Sequence, residues 1–332
     1  MKDGKITISD IANELGVSKT TVSRAISGKG RIGDDTKSRI MQYIEEHNYI
    51  PNVAAKSLAQ QKTYSIAVVW PGDYNAVDLP FFQKCMFGIN EITSDFGYDI
   101  IISIINGDNI TSLKRIVDNH KVDGVILTRT MVDDIPAKYL KQSGLPFVVI
   151  GSTEDDDIVQ IDNDHFDACR EMTSILIAKG LKRLALLGGQ SNHVITRTRY
   201  KGFVQGFKDN GLEPYDDLIY MDLDSDLKIE TIINDILKKK IDGVICMDDN
   251  IAGKVLAICR ANNIKIPQEM RVASFYNSSI LENATPSVTS LNFNDRNLGA
   301  VAARSLLEII DGRVVANQKL GNYEVILKES TK

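Results

Sequence analysis

The stretch that most constrains the fold is residues 7–26, TISDIANELGVSKTTVSRAI, which predicts two short helices joined by a tight turn. Thr7 can cap the first helix, with Asp10 three residues later completing a reciprocal cap. Ser18 repeats the capping signal for the second helix. Gly16 lies in the turn, where a residue with positive φ is favoured.

The apolar residues of both predicted helices recur four residues apart, which places them on one face of each helix. A small shared core is therefore expected from Ile11, Leu15, Val22 and Ile26. Side chains that suit phosphates and base edges remain outward at the start of the second helix: Lys19, Thr20, Ser23 and Arg24. The pattern predicts a helix-turn-helix, although a helical hairpin with a solvated face has the same caps and spacing.

The residues that follow separate these two alternatives. Residues 34–47 repeat the helical apolar spacing and complete a three-helix unit. Residues 48–59, NYIPNVAAKSLA, predict a hinge helix that is too short to be stable alone and needs a partner. The combination of IA, GVS, TVSR, YIPN and the final AxxLA-like segment resembles the LacI/GalR family of DNA-binding regulators.

The resemblance implies a role in DNA binding for ten side chains. Three of them would contact bases in the major groove, namely Lys19, Thr20 and Arg24. Others would position the DNA backbone or belong to the hinge: Thr7, Ser18, Ser23, Arg31, Asn52, Ala55 and Leu58. Family members push a hinge leucine between base pairs, which makes Leu58 the expected wedge, whereas without the resemblance a core leucine is the simpler interpretation.

Two positions depart from the family pattern. Ser27 stands where the family usually has Asn, and Gly33 stands where a Ser or Thr usually begins the third helix. Both concern phosphate contacts and capping, and neither removes the helix-turn-helix pattern.

The size and charge of the chain fit a small head on a larger body. Its 332 residues, of which 43% are hydrophobic, exceed one small domain. Residues 1–62 hold ten Lys or Arg against seven Asp or Glu, so this part carries +3 and the rest carries −8, within a net charge of −5. A basic head on an acidic body favours local, salt-sensitive contact with DNA.

Four widely spaced cysteines, without a CxxC pair, indicate buried thiols in a reducing compartment: Cys85, Cys169, Cys246 and Cys259. No histidine lies at metal-binding spacing, and we expect neither a metal nor a cofactor. No segment looks like an export signal or a membrane span. The expected location is the cytoplasm, with no membrane partner.

The body alternates predicted strands and helices, which favours parallel sheets covered by helices on both faces. The predicted strands are residues 65–71, 98–105, 122–127, 147–150, 184–187, 243–247, 271–275, 288–291 and 323–327. The predicted helices include residues 81–96, 166–179, 251–262 and 296–310. A break near residues 161–164 divides the series into two doubly wound lobes.

The expected fold class is thus an all-α helix-turn-helix headpiece plus hinge helix, followed by an α/β core of two doubly wound parallel-sheet lobes. The resemblance implies that this core is periplasmic-binding-protein-like and that the chain crosses three times between its lobes. The predicted boundaries are 1–50 for the DNA-binding head, 51–63 for the hinge and linker, 64–162 with 293–322 for the first lobe, and 163–292 with 323–332 for the second lobe.

Ligands of open α/β sheets bind at the carboxyl ends of strands, and two such ends should face each other across the cleft. Phe82 could stack on a sugar or be a core residue at a helix start. Arg199 matches a family arginine that donates to ligand oxygens, whereas Arg197 does not. Two acids follow a predicted strand: Asp248 is the expected ligand contact and Asp249 the expected helix cap.

Three further effector contacts are implied by position. Tyr276 stands where the family usually has Asp or Asn, which leaves the identity of the effector open. Asn163 and Phe293 complete the predicted set, while Gly151 occupies a position where some sugar-binding members have Asp.

The segments FVVIGS, QIDNDH, VITRTRYKGF and TSLNFN most resemble the maltose-operon repressors of Gram-positive bacteria. The expected function is a repressor of a carbohydrate-utilisation operon whose operator affinity is controlled by a sugar effector, with maltose or another α-glucoside as the first candidate. It would bind a near-palindromic double-stranded operator as a homodimer, because no leucine heptad follows the last strand to build a tetramer.

Three alternatives stay open. A catabolite regulator with a phosphoprotein co-repressor belongs to the same family. A solute-binding protein would need export, for which no signal is visible. An enzyme would need a catalytic motif, and neither G-x-S-x-G, a P-loop nor a dinucleotide fingerprint occurs in a suitable setting.

Overall fold

The computed structural model describes residues 6–27, 30–47, 49, 62–72, 80–223 and 225–332. The chain forms two compact units, Met1–Lys62 and Thr63–Lys332. No helix within these described ranges is both long and apolar enough to cross a membrane.

The first unit contains three helices, namely α1 (Ile8–Glu14), α2 (Lys19–Ser27) and α3 (Asp34–Glu46). Ile11, Val22 and Ile40 are fully buried where the helices meet. Leu15 and Ile26 are only partly buried and pack against the edge of this cluster. The predicted shared core is therefore present, but Ile40 of α3 contributes to it in addition to the residues of α1 and α2.

The second unit alternates strands and helices. Its strands are β1 (Ser65–Pro71), β2 (Asp99–Ile105), β3 (Gly124–Leu127), β4 (Phe147–Ile150), β5 (Gln160–Asn163), β6 (Leu184–Leu187), β7 (Ile219–Tyr220), β8 (Gly243–Cys246), β9 (Arg271–Ser274), β10 (Thr289–Phe293), β11 (Gln318–Leu320) and β12 (Tyr323–Ile326). Its helices are α4 (Pro80–Asp95), α5 (Thr111–Asp118), α6 (Ile135–Ser143), α7 (His165–Ala178), α8 (Val194–Asp209), α9 (Asp226–Ile236), α10 (Asp249–Ala261), α11 (Ser279–Glu282) and α12 (Asp295–Ile310).

The strands form two six-stranded sheets, each the centre of one lobe. The first sheet has the order β11-β5-β4-β3-β1-β2 and is parallel throughout. The second has the order β12-β10-β9-β8-β6-β7, and only β12 runs antiparallel to its neighbour. Both sheets have apolar clusters on their two faces, as doubly wound lobes require. The predicted fold class is confirmed for the helix-turn-helix headpiece and the two-lobed α/β core, while residues 51–61 of the predicted hinge lie outside the described residues.

Helix α12 follows a strand of the second sheet but packs on α4 of the first lobe. Two glycines permit this close contact, because a Cβ on Gly88 would collide with the backbone of Arg296, and one on Gly299 with the backbone of Cys85. The chain therefore passes between lobes after β5, after β10 and between β11 and β12. These passages bring residues distant in sequence to the boundary between the lobes.

Candidate functional site

The first two helices of the head begin at side-chain caps. Thr7 and Asp10 form a reciprocal capping box at the start of α1. The Ser18 hydroxyl accepts the Thr21 backbone N–H at 3.0 Å, which caps α2. Gly16 has φ of +63°, as the turn requires. All three features agree with the sequence prediction, while Gly33 begins α3 without a side-chain cap.

Helix α2 buries Val22 and leaves a polar face exposed. The exposed side chains at its start are Ser18, Lys19, Thr20, Ser23 and Arg24. Thr7 and Arg31 are also exposed. Such a face offers hydroxyl, ammonium and guanidinium donors to phosphates and base edges. Three residues of the predicted DNA-binding set lie outside the described residues: Asn52, Ala55 and Leu58.

A cavity of about 180 Å³ lies between the two lobes, at the carboxyl ends of their strands. Four of the six predicted effector contacts line it: Phe82, Arg199, Asp248 and Tyr276. The rest of its lining is Pro80, Phe81, Thr128, Arg129, Thr130, Ile150, Gly151, Asp162, His165, His193, Ile195, Asp249 and Asn250. Aromatic and polar side chains therefore converge on one enclosed space, as in small-molecule sites.

Arg199 is the buried cation of this cavity, with 9% of its surface exposed. One guanidinium nitrogen, Nη1, donates to the backbone oxygen of Met247 at 2.5 Å. Its Nε has no hydrogen-bond partner among the described residues. The fork is thus held at one end and can donate to a ligand oxygen at the other.

Carboxylates surround this guanidinium. Burial raises the pKa of Asp162 to about 6, although the nearby positive charge of Arg199 opposes the rise. Burial also raises the pKa of Asp248 and that of Asp249. The Oδ2 atom of Asp249 has no hydrogen-bond partner in the described part of the chain. The cavity therefore offers ligand hydroxyls both a buried donor and a buried acceptor.

The helix-cap prediction for the paired acids was wrong by one residue. Strand β8 ends at Cys246, one residue earlier than expected, so α10 begins at Asp249 and its cap is Asp248. The Oδ1 atom of Asp248 accepts the Ile251 N–H at 2.8 Å. Asp249 thus lies in the first helical turn with one carboxylate oxygen still unpartnered among the described residues.

The other two predicted effector contacts lie behind the cavity wall. The ring of Phe293 packs on that of His165, with 4.6 Å between centroids. His165 itself lines the cavity, and burial lowers its pKa well below the usual range, so it is neutral at pH 7. Asn163 is buried outside the lining. Phe293 therefore supports a cavity residue instead of forming the surface.

Tyr276 joins the cavity to the opposite lobe. It follows β9 of the second lobe, and its hydroxyl donates to Oδ2 of Asp295, in the first turn of α12, at 2.6 Å. The Lys84 ammonium of α4 lies 3.8 Å from the same oxygen. Phe81 meets the Tyr276 ring edge to face. Burial and the adjacent carboxylate raise the pKa of Tyr276 well above its usual range, so the phenol remains a donor.

A second link between the lobes is made by backbone alone. The loop after β3 and the loop after β6 form an antiparallel bridge between Met131 and His193. Val132 donates its N–H to Asn192 at 2.9 Å, and Val194 donates to Thr130 at 3.3 Å. We call this pair of hydrogen bonds the interlobe ladder. A second space of about 470 Å³ is lined by residues of the same two loops, among them Met131, Val132 and Asn192.

Comparison with known proteins identifies the family. A model described as "Periplasmic binding proteins and sugar binding domain of LacI family" matches residues 63–326. A second model, "Bacterial regulatory proteins, lacI family", matches residues 7–52. The chain belongs to the LacI family.

Relatives within the LacI family extend over the whole chain. The HTH-type transcriptional regulator MalR of Streptococcus pneumoniae is 30% identical over 92% of this chain and 93% of its own. Catabolite control protein A of Staphylococcus aureus is 28% identical over 97% and 96%. A lac repressor dimer solved with its operator has a TM-score of 0.79, with 22% identity and coverage of 99% of both chains.

This LacI-family chain is a DNA-binding transcriptional regulator and not an enzyme, in agreement with the sequence prediction. The rule that sites lie after strands found the loops after β1, β6, β8 and β9. Thr128 after β3 and Asp162 in β5 follow the same rule but were not among the candidates. His165 gave only a weak signal, a lone histidine beside a lobe crossing.

Proposed function

We propose that this regulator represses a carbohydrate-utilisation operon and that a sugar in the interlobe cavity controls its affinity for the operator. The observation that carries the proposal is the cavity itself, whose lining includes the aromatic side chain of Phe82 and the buried Arg199, whose Nε has no hydrogen-bond partner among the described residues. Aromatic rings suit the apolar faces of sugars, and charged groups suit their hydroxyls. Maltose or another α-glucoside is the first ligand to test, given the resemblance to maltose-operon repressors and to MalR.

The proposed assembly is a homodimer on a near-palindromic operator, in the cytoplasm. Exposed apolar side chains on α4 and β2 support a second copy as partner: Phe87, Ile102 and Ile104. A dimer of lac repressor with its operator shares the fold. Two heads would then contact two half-sites related by the symmetry of the dimer. No membrane partner is proposed.

Fluorescence anisotropy of a labelled palindromic duplex with a central CG step tests this function. We expect binding with Kd in the range of about 10⁻⁸ to 10⁻¹⁰ M, and weaker binding when maltose is present. A scrambled duplex of equal length is the control. Equal binding to both duplexes would contradict the assignment of the head as an operator reader.

If the protein binds the operator equally well with and without maltose, maltose is not the effector, whereas the assignment of the head as a DNA reader still holds. A panel of α- and β-linked disaccharides would follow. If no sugar acts, the alternative is a catabolite regulator with a phosphoprotein co-repressor, a function consistent with the similarity to catabolite control protein A. The same titration would then be repeated with the phosphoprotein.

Replacing Val194 by proline tests whether the interlobe ladder holds the cavity closed. Val194 is the first residue of α8, where proline is tolerated, and the preceding residue is extended at φ −83° and ψ 129°. The substitution removes only the N–H donated to Thr130. We expect sugar affinity to fall about fivefold, because one neutral hydrogen bond contributes about 1 kcal/mol.

The single tryptophan, Trp70, lies 6.0 Å from the cavity residue Phe82 between ring centroids, so its fluorescence can report sugar binding. The matched control is Asp226→Pro, which changes the first residue of α9 after an extended cap and lies away from the ladder. Equal sugar affinity of the Val194→Pro and Asp226→Pro proteins would show that the ladder does not contribute to closure.

A further inference from the structure

The bond between Tyr276 and Asp295 differs from the other tyrosine–carboxylate bonds of the described chain because it joins the two lobes. Tyr139 donates to Asp118 within the first lobe at 2.6 Å. Tyr323 donates to Glu171 at 2.7 Å and Tyr220 donates to Asp235 at 2.9 Å, both within the second lobe. Tyr276 lies in the second lobe, whereas Asp295 opens α12, which packs on the first.

Both partners are buried, so the bond is shielded from water. Tyr276 is 5% exposed and Asp295 is 1% exposed. A hydrogen bond to a buried carboxylate is stronger than one between neutral groups. This bond ties the loop after β9 to the point where the chain crosses into the first lobe, so a shift of α12 against the second lobe would strain it.

The same tyrosine lines the cavity. Its ring forms part of the wall, between Phe81 on one side and the Lys84 ammonium, 5.8 Å from the ring centroid. Phe81 packs against the apolar cores of both lobes. A ligand against this wall thus contacts a ring whose placement depends on a group in the opposite lobe.

A ligand shifts a conformational equilibrium only through a difference in its affinity for the two states. We infer that Tyr276, held by Asp295, is the positioning residue that gives the ligand different affinities for the two lobe arrangements, and so couples the cavity to operator binding. The inference rests on the proposed sugar-responsive function. The interlobe ladder differs from this bond, because it consists of backbone hydrogen bonds only and its proposed role is to hold the lobes together.

The coupling passes to a rigid element. Asp295 starts α12, and α12 is locked to α4 through the close contacts of Gly88 and Gly299. Arg296, the next residue, forms an ion pair with Glu91 of α4 at 2.8 Å. A displacement of Asp295 therefore moves α4 and α12 together, because their backbones leave no room to slide.

The test compares the change in operator affinity at equal sugar occupancy. Each variant is titrated with maltose by Trp70 fluorescence, and operator anisotropy is then measured at about twenty times its own Kd for maltose. When the apo and the sugar-bound proteins each remain almost entirely in one arrangement, a change in the population of lobe arrangements shifts that Kd but leaves the effect at equal occupancy unchanged. A loss of coupling reduces the effect itself.

We expect Tyr276→Phe to reduce the maltose effect on operator affinity about tenfold. The effect should stay at the wild-type level in Tyr139→Phe, which loses a bond of the same length inside one lobe, and in Val194→Pro. Asp295→Asn keeps an acceptor oxygen without the charge and should fall between the wild-type and Tyr276→Phe proteins. If Tyr276→Phe does not fold, Asp295→Asn tests whether the bond between Tyr276 and Asp295 couples the cavity to operator binding.

Three outcomes are distinguishable. An unchanged maltose effect in Tyr276→Phe overturns the inference while the sugar-responsive function stands. The inference is also overturned if Val194→Pro or Tyr139→Phe reduces the maltose effect as much as Tyr276→Phe does. The loss of coupling would then not be specific to the bond between Tyr276 and Asp295. A wild-type protein that binds operator but responds to no sugar in the panel overturns the proposed function and the inference together.

Discussion

Replacing Arg199 by lysine is expected to raise the maltose concentration needed to change operator affinity by about 30-fold, without loss of operator binding in the absence of sugar. Lysine keeps the positive charge among the buried carboxylates, but its three N–H donors share one nitrogen and do not reproduce the planar fork that reaches both Met247 and the ligand. Losing a charge-assisted hydrogen bond costs about 2 kcal/mol, which corresponds to this factor.

The measurement is sugar affinity by Trp70 fluorescence, followed by anisotropy of the labelled operator. Arg197→Ala is the matched control, because Arg197 lies two residues earlier on α8, is exposed and does not line the cavity. Its Nε donates to the Ser191 backbone outside the cavity. Equal sugar affinity of wild-type and Arg199→Lys proteins would contradict a ligand contact at Arg199.

Removing the positive charge of Arg199 should also lower the stability of the fold, an effect that can be measured separately from sugar affinity. The positive charge of Arg199 opposes the burial-raised pKa of Asp162, and that of Asp248 and Asp249 as well. Arg199→Met would remove a favourable charge from these buried acids, as well as the hydrogen bond to Met247, and should lower the free energy of unfolding by about 2 kcal/mol, measured by urea denaturation. The loss should shrink as the pH falls through about 6, where Asp162 takes up a proton; a loss independent of pH would point to packing instead.

The parts of the fold that could be predicted are those controlled by residues close in sequence. Strands β1, β4 and β6 begin and end at the predicted residues, because each is a continuous apolar run buried on both faces. The capping boxes of the head are equally local. Strands that contain polar residues were harder to predict from the sequence. Strands β5 and β11 were not predicted, because both are short and polar.

The site was predictable residue by residue but not as an arrangement. Arg199 and Tyr276 were found because the family resemblance marked their positions in loops that follow strands. Their partners Met247 and Asp295 were not found, because the lobe crossings decide which distant segments meet. The interlobe ladder was invisible for the same reason: backbone hydrogen bonds between two loops leave no side-chain pattern. Packing of the lobes, and not local propensity, creates these contacts.

Replacing Arg24 by alanine is expected to lower operator affinity by about 30-fold, because a bidentate contact to a base contributes about 2 kcal/mol of discrimination. Arg24 is exposed on α2, and its aliphatic part lies against Gly30, where a Cβ would come within 3.1 Å of Cδ. The head should remain folded, since its core of Ile11, Val22 and Ile40 is untouched.

Anisotropy at several salt concentrations separates the two ways in which Arg24 could act. A base contact predicts a loss that is large on the palindrome and small on a scrambled duplex. A phosphate contact predicts equal losses on both duplexes and a salt slope reduced by about one. Arg39→Ala, which removes the same charge from an exposed position on α3, is the control. Equal losses in Arg24→Ala and Arg39→Ala on both duplexes would mean that the head binds DNA through its net charge alone, and α2 would no longer be the reading helix.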